Sequence, residues 1–304
     1  MGEGTLLVVP CSSGTQRLAG SKLQPIDVMT VGLEPLHLDG HGAPPSELPA
    51  DPARAELPGL LERLGDGDGH LLIVVPTWVK PSARRRLDVL RSALADDREV
   101  IAFETDLPPL GAAVLGALAA SLAPAAPSTG LLVDALRVLE SEIVLLAALP
   151  SVLRLRRPKP RVAQRLRSLF PRGRFLVRAQ PDPVVVSLKR GAEVPDLLGG
   201  GDPRSTGVVI GGRARGGDWQ ENALADALLT PSLQRVTGEG DAGGRWGVAQ
   251  ALEAVAYPTD RVALAAELFS VPGFACPWCD EPVTSVPCPV CGHDRNRALQ
   301  EALR

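Results

Sequence analysis

The chain has 304 residues, of which 45% are hydrophobic and 22% charged, and its formal net charge is −3. These proportions are typical of a soluble globular protein, and the length favours roughly two domains. The start "MGEGTLLVVPCSS" lacks the basic region and the long apolar run of a signal peptide, so we expect a cytoplasmic protein. A membrane span is not expected, because the apolar stretch "LGAAVLGALAASLA" is shorter than the roughly 20 residues that cross a bilayer.

Three short apolar runs in the first part of the chain predict strands that are buried on both faces of a parallel sheet. Helical patterns separate them: Ser82 is placed to cap one helix, and Asp106 to cap another that opens with Pro108. The alternation of strand and helix predicts a Rossmann-like three-layer domain over residues 1–125. The runs are "TLLVVP" (5–10), "HLLIVVP" (70–76) and "EVIAFET" (99–105).

The loop after the first predicted strand contains a cysteine and an arginine six positions apart. Cys11 and Arg17 in "PCSSGTQR" form a Cys-x5-Arg pattern, which resembles the phosphate-binding loop of low-molecular-weight protein tyrosine phosphatases and arsenate reductases. The resemblance implies a nucleophilic thiolate at Cys11 and an oxyanion clamp at Arg17. Pro10 and Leu18 depart from that family's pattern. A noncatalytic anion or nucleotide loop, or a simple turn with a half-buried thiol, stays open.

The second part of the chain begins after a segment with the composition of a linker, "APAAPSTG" (123–130). A helix is predicted through "LLVDALRVLESEIVLLAAL" (131–149), followed by a hairpin in "RFLVRAQPDPVVVSLK" (174–189). A strand at Val208–Ile210 and a mainly helical stretch over 219–269 complete a mixed α/β region, which we assign to residues 126–270.

A basic segment at residues 151–181 contains ten basic residues and no acidic one. Within it Val162, Leu166 and Leu169 form one helical stripe, which we expect to pack on the protein while the cations face an anion. Nucleic acid, an acidic partner protein and the protein's own acidic surface are the alternatives. The residues predicted to bind this anion or partner are Arg154, Arg156, Arg157, Lys159, Arg161, Arg165, Arg167, Arg172 and Arg174.

Two CxxC pairs, Cys276 with Cys279 and Cys288 with Cys291, favour a metal site over disulfides in a chain without an export signal. "CPWC" and "CPVCG" resemble the paired knuckles of the zinc-ribbon and rubredoxin-like families, although Asp280 stands where a glycine is usual. The resemblance implies a structural Zn²⁺ held by four thiolates. Iron binding and a thioredoxin-like redox role for "CPWC" are the alternatives. We assign residues 271–304 to a zinc ribbon and a short helical tail.

No Ser-His-Asp constellation with a nucleophile elbow and no full dinucleotide fingerprint is present in the sequence. We therefore predict an α/β protein with a Rossmann-like N-terminal domain, a mixed α/β second region and a C-terminal zinc ribbon. Its predicted function is that of a non-catalytic accessory or adaptor protein, which binds a partner protein or nucleic acid through the basic face and the ribbon. The alternative is an enzyme that acts on a phosphorylated or nucleotide substrate at the Cys11–Arg17 loop.

Overall fold

The computed structural model describes residues 5–9, 26–32, 70–78, 81–94, 100–170, 173–189, 193–198, 206–212, 219–229, 234–236, 246–248 and 250–294. Within these residues the architecture is mixed α/β, as the sequence predicts, with a four-stranded sheet, a six-stranded sheet and a two-stranded ribbon. The Rossmann-like assignment and the division of the chain at residues 125 and 270 stay predictions.

The four-stranded sheet has the sequential strand order β1-β2-β3-β4. Its last three strands are parallel, whereas β1 pairs with β2 in the antiparallel sense. All three predicted strands are present, but the prediction of a parallel sheet is wrong for β1. Strand β2 was not predicted, because Asp27 and Thr30 interrupt its apolar run. The strands are β1 (Thr5–Val9), β2 (Ile26–Gly32), β3 (His70–Pro76) and β4 (Val100–Thr105), and helix α1 (Pro81–Leu94) lies between β3 and β4 in the chain.

The six-stranded sheet has the strand order β7-β6-β5-β10-β8-β9. All neighbours are antiparallel except β8 and β9. The hairpin and the strand around residue 209 are confirmed, whereas β5 and β10 replace segments that were predicted to be helical. The strands are β5 (Val144–Leu149), β6 (Phe175–Gln180), β7 (Val184–Ser187), β8 (Thr206–Gly212), β9 (Gln234–Arg235) and β10 (Leu252–Pro258).

Helices cover both faces of the six-stranded sheet. Leu145, Ala147 and Leu149 of β5 belong to the larger apolar cluster, which includes α2 (Pro109–Leu122). The alternate residues of β5 belong to a second cluster with α5 (Trp219–Ala227). Successive side chains of a strand point to opposite faces, so a strand covered on both sides is apolar at every position. This explains why "IVLLAAL" shows no alternation and was mistaken for the end of a helix.

Helix α2 lies between the two sheets, where it contacts β2 and β3 on one side and β10 on the other. Because α2 is surrounded by protein, its sequence is apolar around most of its circumference. No side chain caps its first turn, so the predicted cap at Asp106 is wrong: Asp106 accepts a hydrogen bond from Thr77 Oγ1 at 2.5 Å instead. Among the described helices, none is both long and apolar enough to cross a membrane.

The remaining helices are short or follow tight turns. A 3₁₀ turn at Ala123–Ala125 leads into α3 (Thr129–Glu142), which is capped by Ser128. Helix α4 (Val162–Arg167) lies in the basic segment, and α6 (Arg261–Leu268) is capped by Asp260. The two-stranded ribbon, β11 (Phe274–Ala275) with β12 (Pro282–Val283), then holds the cysteine pairs against α3.

Candidate functional site

The four cysteines near the end of the chain form a compact cluster. All four Sγ atoms lie within 4.8 Å of one another, and the pairs Cys276–Cys291 and Cys279–Cys288 are 3.7 and 3.8 Å apart. Tetrahedral coordination with Zn–S bonds of about 2.3 Å would place the sulfur atoms roughly 3.8 Å from one another. The predicted clustering of these residues at a metal-binding distance is therefore confirmed.

Each cysteine pair adopts the same turn. The amide of Asp280 donates to the carbonyl of Cys276, and that of Gly292 to the carbonyl of Cys288, both at 2.9 Å. Both donors have a left-handed backbone, with φ of 59° at Asp280 and 73° at Gly292. Aspartate tolerates this conformation better than most residues with a side chain. The departure at Asp280 from the usual glycine therefore leaves the geometry of the first knuckle intact.

Backbone hydrogen bonds favour the thiolate form at one cysteine of the cluster, whereas burial favours the thiol form at two others. Hydrogen bonds from the amides of Cys279 and Trp278 lower the pKa of Cys276 to about 6. Burial raises the pKa of Cys279 to about 12, and burial also raises the pKa of Cys288. Metal ions bind the thiolate form, so ion binding at this cluster has to release protons from the buried thiols.

The ribbon is attached to the main fold through a buried carboxylate. Asp134 of α3 accepts hydrogen bonds from the amide of Thr284 at 2.7 Å, from its hydroxyl at 2.8 Å and from the amide of Ser285 at 3.1 Å. The hydroxyl of Ser285 donates to the same carboxylate. A carboxylate with this many donors is satisfied in spite of its burial, so it fixes the ribbon in one position.

Other contacts extend this attachment to the first turn of α3. Ser128 Oγ donates to the carbonyl of Pro282 at 2.9 Å, and the amide of Gly130 donates to Glu281 Oε1 at 3.0 Å. A Cβ at Gly130 would lie only 2.6 Å from the carbonyl oxygen of Pro282, so the ribbon approaches α3 as closely as glycine allows. The sequence gives no sign of this interface, because its two sides are far apart in the chain.

A groove with a volume of about 520 Å³ lies beside the end of β5 and the start of β10. Its wall is formed by the turn after β5, by the end of the α4 segment and by the residues before β10. Its lining is mixed: apolar side chains lie beside the polar Ser151, Ser168 and Gln250, and Arg154 is the one charged residue among those that line it. The lining residues are Pro150, Ser151, Leu153, Arg154, Ser168, Leu169, Phe170, Gly247, Val248 and Gln250.

Two small residues hold the wall of the groove together. Ser168 accepts a hydrogen bond from the amide of Val152 at 2.9 Å and donates to the carbonyl of Gln164 at 3.1 Å, which ties α4 to the turn after β5. Gly247 packs against the backbone of Arg154. Next to it the buried Trp246 donates its indole N–H to Glu253 of β10. Hydrogen bonds of Ser168 and Trp246 therefore hold the segments around the groove in place.

Gly247→Ala is expected to destabilise the protein and to disturb the groove. A Cβ at this position would lie 2.6 Å from Arg154 Cβ and 2.8 Å from the Arg154 carbonyl oxygen, at a φ of +67°. A left-handed non-glycine residue alone costs on the order of 1–3 kcal/mol, and the clash adds to it. Urea unfolding measures the loss.

Gly292→Ala is the matched control for this variant, because Gly292 also has a positive φ but nothing lies within 4 Å of its added Cβ. Equal losses of stability in the two variants would contradict the close packing of Gly247 on Arg154.

Helix α4 is attached to the protein by its polar residues. Gln164 Nε2 donates to the carbonyl of Val185 at 2.7 Å, and Arg167 Nη2 donates to the carbonyl of Leu188 at 3.0 Å. The predicted stripe is on the opposite side: Val162, Leu166 and Leu169 are 75%, 57% and 65% exposed. The prediction that this stripe packs on the protein is wrong, because hydrogen bonds rather than apolar contacts hold the helix in place.

The predicted basic face divides into two groups. The internal group includes Arg167, Arg174 and Arg178. The guanidinium of Arg174 stacks 5.2 Å from the ring centroid of Trp219, and that of Arg178 donates to the carbonyl of Leu197 at 3.3 Å. The second group is exposed and forms no ion pair within the described residues. It comprises Arg154, Arg156, Arg157, Lys159, Arg161 and Arg165.

Three predicted site residues lie outside the described residues: Cys11 and Arg17 of the Cys-x5-Arg loop, and Arg172 of the basic segment. The groove itself was missed by the sequence analysis. Of its residues, Leu169 was predicted only as part of a helical stripe. No pattern in the sequence connects Leu169 with Val248, which lies near it only in the folded chain.

No protein-family model matches the sequence, and no curated protein matches it. Solved structures do resemble the fold. A DegV family protein from Corynebacterium glutamicum is 17% identical with a TM-score of 0.45, over 67% of this chain and 79% of that one. A stearic-acid-binding protein from Eubacterium ventriosum is 8% identical with a TM-score of 0.45, over 77% and 79%. DegV, a fatty-acid-binding protein from Bacillus subtilis, is 12% identical with a TM-score of 0.40, over 66% and 75%.

These findings contradict the predicted adaptor function. Two of these structures are named for fatty-acid binding, not for binding a partner protein or nucleic acid. The predicted protein and nucleic-acid partners are therefore corrected, whereas the alternative of phosphate chemistry at Cys11 and Arg17 lies outside the described residues and stays a prediction. Of the predicted interface, Arg167 and Arg174 make contacts within the protein itself.

Proposed function

We propose that the chain binds a single-chain anionic amphiphile of the fatty-acid class in the groove beside β5 and β10. The observation that supports this proposal is the combination of a row of apolar side chains in a mixed lining with one arginine that has no carboxylate partner among the described residues. The volume of about 520 Å³ is within the range of small-molecule sites. Fatty acids, the ligands named for some of the similar structures, belong to this chemical class.

The two parts of such a ligand match two parts of the groove. Leu153, Leu169 and Phe170 are 43%, 65% and 68% exposed, so an acyl chain that covers them removes apolar surface of both molecules from water. Each buried methylene contributes about 0.8 kcal/mol. A guanidinium such as that of Arg154 binds a carboxylate through two parallel hydrogen bonds. The groove therefore offers affinity through its walls and selectivity for an anion through Arg154.

Arg154→Gln is expected to lower the affinity for a long-chain fatty acid such as stearate about tenfold or more. Glutamine keeps a polar side chain of similar length but loses the charge, and a hydrogen bond to a charged group is worth about 1.5–3 kcal/mol. Binding of the corresponding uncharged alcohol, which has no carboxylate, should change little. Calorimetric titration of the delipidated full-length chain measures both affinities.

Arg156→Gln is the matched control, because Arg156 is also exposed in the same turn but does not line the groove. The site assignment is wrong if Arg154→Gln and Arg156→Gln bind stearate with the same affinity. If the unmodified chain binds neither stearate nor its alcohol, the proposed function itself is wrong.

We also propose that Cys276, Cys279, Cys288 and Cys291 hold a structural Zn²⁺ in a zinc ribbon. The sulfur distances and the matching knuckle turns support this choice of ion. Four thiolates close the coordination sphere, so no position is left at which a water molecule could be activated. In this proposal the ion stabilises the ribbon and its contacts with α3.

A further inference from the structure

Helix α4 contacts the protein through polar side chains and exposes its apolar ones, whereas a surface helix usually does the opposite. None of its residues is buried, and its contacts with the protein are made by Gln164 and Arg167. The apolar stripe, which from here on comprises Val162 and Leu166 of α4 with Leu169 and Phe170 in the turn that follows it, faces outward with every member more than half exposed. Surface helices of globular proteins normally bury such a stripe. A group of exposed apolar side chains this close in the chain indicates an interaction site.

The charges around the stripe are of one sign. Arg156, Arg157 and Lys159 precede the helix, Arg161 is its N-cap residue, and Arg165 lies on α4 itself. All five are exposed, and none forms an ion pair within the described residues. The segment 151–181 contains no acidic residue that would neutralise them. The partner of this surface therefore has to combine an apolar interior with a negatively charged boundary.

We propose that α4 and its basic surroundings dock on the surface of an anionic lipid bilayer. A helix with Leu and Phe on one face and Arg or Lys beside it lies in the interface between headgroups and acyl chains. The apolar stripe would enter this boundary, while the five cations contact anionic headgroups. Each such cation contributes about 1 kcal/mol near an anionic membrane surface. Helix α4 remains attached to the protein through Gln164, so docking needs no rearrangement of the fold.

The stripe also overlaps the mouth of the groove, because Leu169 and Phe170 belong to both. Docking would therefore place the groove against the bilayer, where single-chain amphiphiles are found. The docking proposal nevertheless stands on α4 and its charges alone, and it holds for a groove ligand of another class.

Flotation with lipid vesicles tests the proposal on the full-length chain. We expect the protein to float with vesicles that mix phosphatidylglycerol and phosphatidylcholine, and to stay at the bottom with vesicles of phosphatidylcholine alone. The triple variant Arg157→Gln, Arg161→Gln and Arg165→Gln should lower the partition coefficient about a hundredfold, which is about fivefold for each cation. Leu166→Ser should lower it about tenfold through lost apolar burial.

Matched controls come from other exposed positions. Arg85→Gln removes an exposed cation of α1, and Val262→Ser removes an apolar side chain of α6 that is 83% exposed. Neither should change the partition coefficient. The proposal is overturned if the unmodified chain floats equally with both kinds of vesicle or with neither, or if the variants in α4 behave like these controls. It is also overturned if Leu166→Ser converts a dimer into a monomer, since a second copy would then cover the stripe.

Ligand binding separates this proposal from the proposed function. None of the residues changed in the α4 variants lines the groove, so the affinity for stearate should stay the same while vesicle binding is lost. Failure of the unmodified chain to bind stearate would refute the proposed function but leave the vesicle result unaffected.

Discussion

Asp134→Ala is expected to detach the ribbon from α3 and to lower the free energy of unfolding by about 3 kcal/mol. The buried carboxylate accepts hydrogen bonds from both the amide and the hydroxyl of Thr284 and of Ser285. Hydrogen bonds to a charged group are worth about 1.5–3 kcal/mol each when removed, although such losses are not additive. Alanine leaves all of these donors without their acceptor. Urea unfolding measures the stability, and limited proteolysis of residues 274–293 measures the detachment.

Asp182→Ala is the matched control for this variant. Asp134 pairs with Arg137 at 3.5 Å, and Asp182 likewise pairs with Arg178, but the side chain of Asp182 is 91% exposed and its closest charged atoms are 4.0 Å apart. Exposed ion pairs of this kind contribute about 0–1 kcal/mol. If the two alanine variants were equally stable and equally resistant to protease, the carboxylate of Asp134 would not be the residue that fixes the ribbon.

Cys288→Ser is expected to abolish zinc binding and to unfold the ribbon. We expect the unmodified chain to carry one zinc ion, and a structural zinc site contributes on the order of 10 kcal/mol of folding free energy to its own segment. Elemental analysis measures the metal, and hydrogen exchange measures the order of the ribbon. Residues 128–137 should lose protection together with residues 274–293, because Ser128, Gly130 and Asp134 are bonded to the ribbon. The core around β5 and β10 should stay protected.

Cys11→Ser removes the one cysteine outside the two pairs and should keep the zinc ion, so it controls for the loss of a thiol. The four-cysteine assignment would be wrong if Cys11→Ser and Cys288→Ser lost equal amounts of metal. Unfolding of the whole chain at low chelator concentration would contradict a role of the ion that is confined to the ribbon and its contacts.

Features that depend on neighbouring residues could be predicted from the sequence. The two CxxC pairs carry their geometry in their spacing, because each turn closes within a few residues. The strands β3 and β4 were also predicted, since their apolar runs are bounded by turn residues. In these cases the residues that decide the local structure lie within or directly beside the pattern.

Features that depend on distant contacts could not be predicted. The segment that forms β10 was predicted to be part of a mainly helical stretch. Its strand conformation depends on pairing with β5 and β8, which are distant in the sequence. The stripe of α4 predicts the correct helix but the wrong orientation, because the acceptors that hold the helix are carbonyl groups of Val185 and Leu188. Every residue has a backbone carbonyl group, so the residue type does not show which carbonyl accepts a hydrogen bond from a distant side chain. The same applies to the groove, whose walls come from three separate segments.

The contact between Asp134 and Thr284 joins residues 150 positions apart. All strands of the six-stranded sheet lie between these two residues in the sequence. Closing a loop of this length costs conformational entropy. The hydrogen bonds of the contact offset this cost in free energy only after the contact has formed. The ribbon should therefore dock after the sheet is assembled, late on the folding pathway. Interactions that form after the transition state slow unfolding without accelerating folding. The contacts between the ribbon and α3 should thus lower the unfolding rate of the chain. They should have little influence on its folding rate.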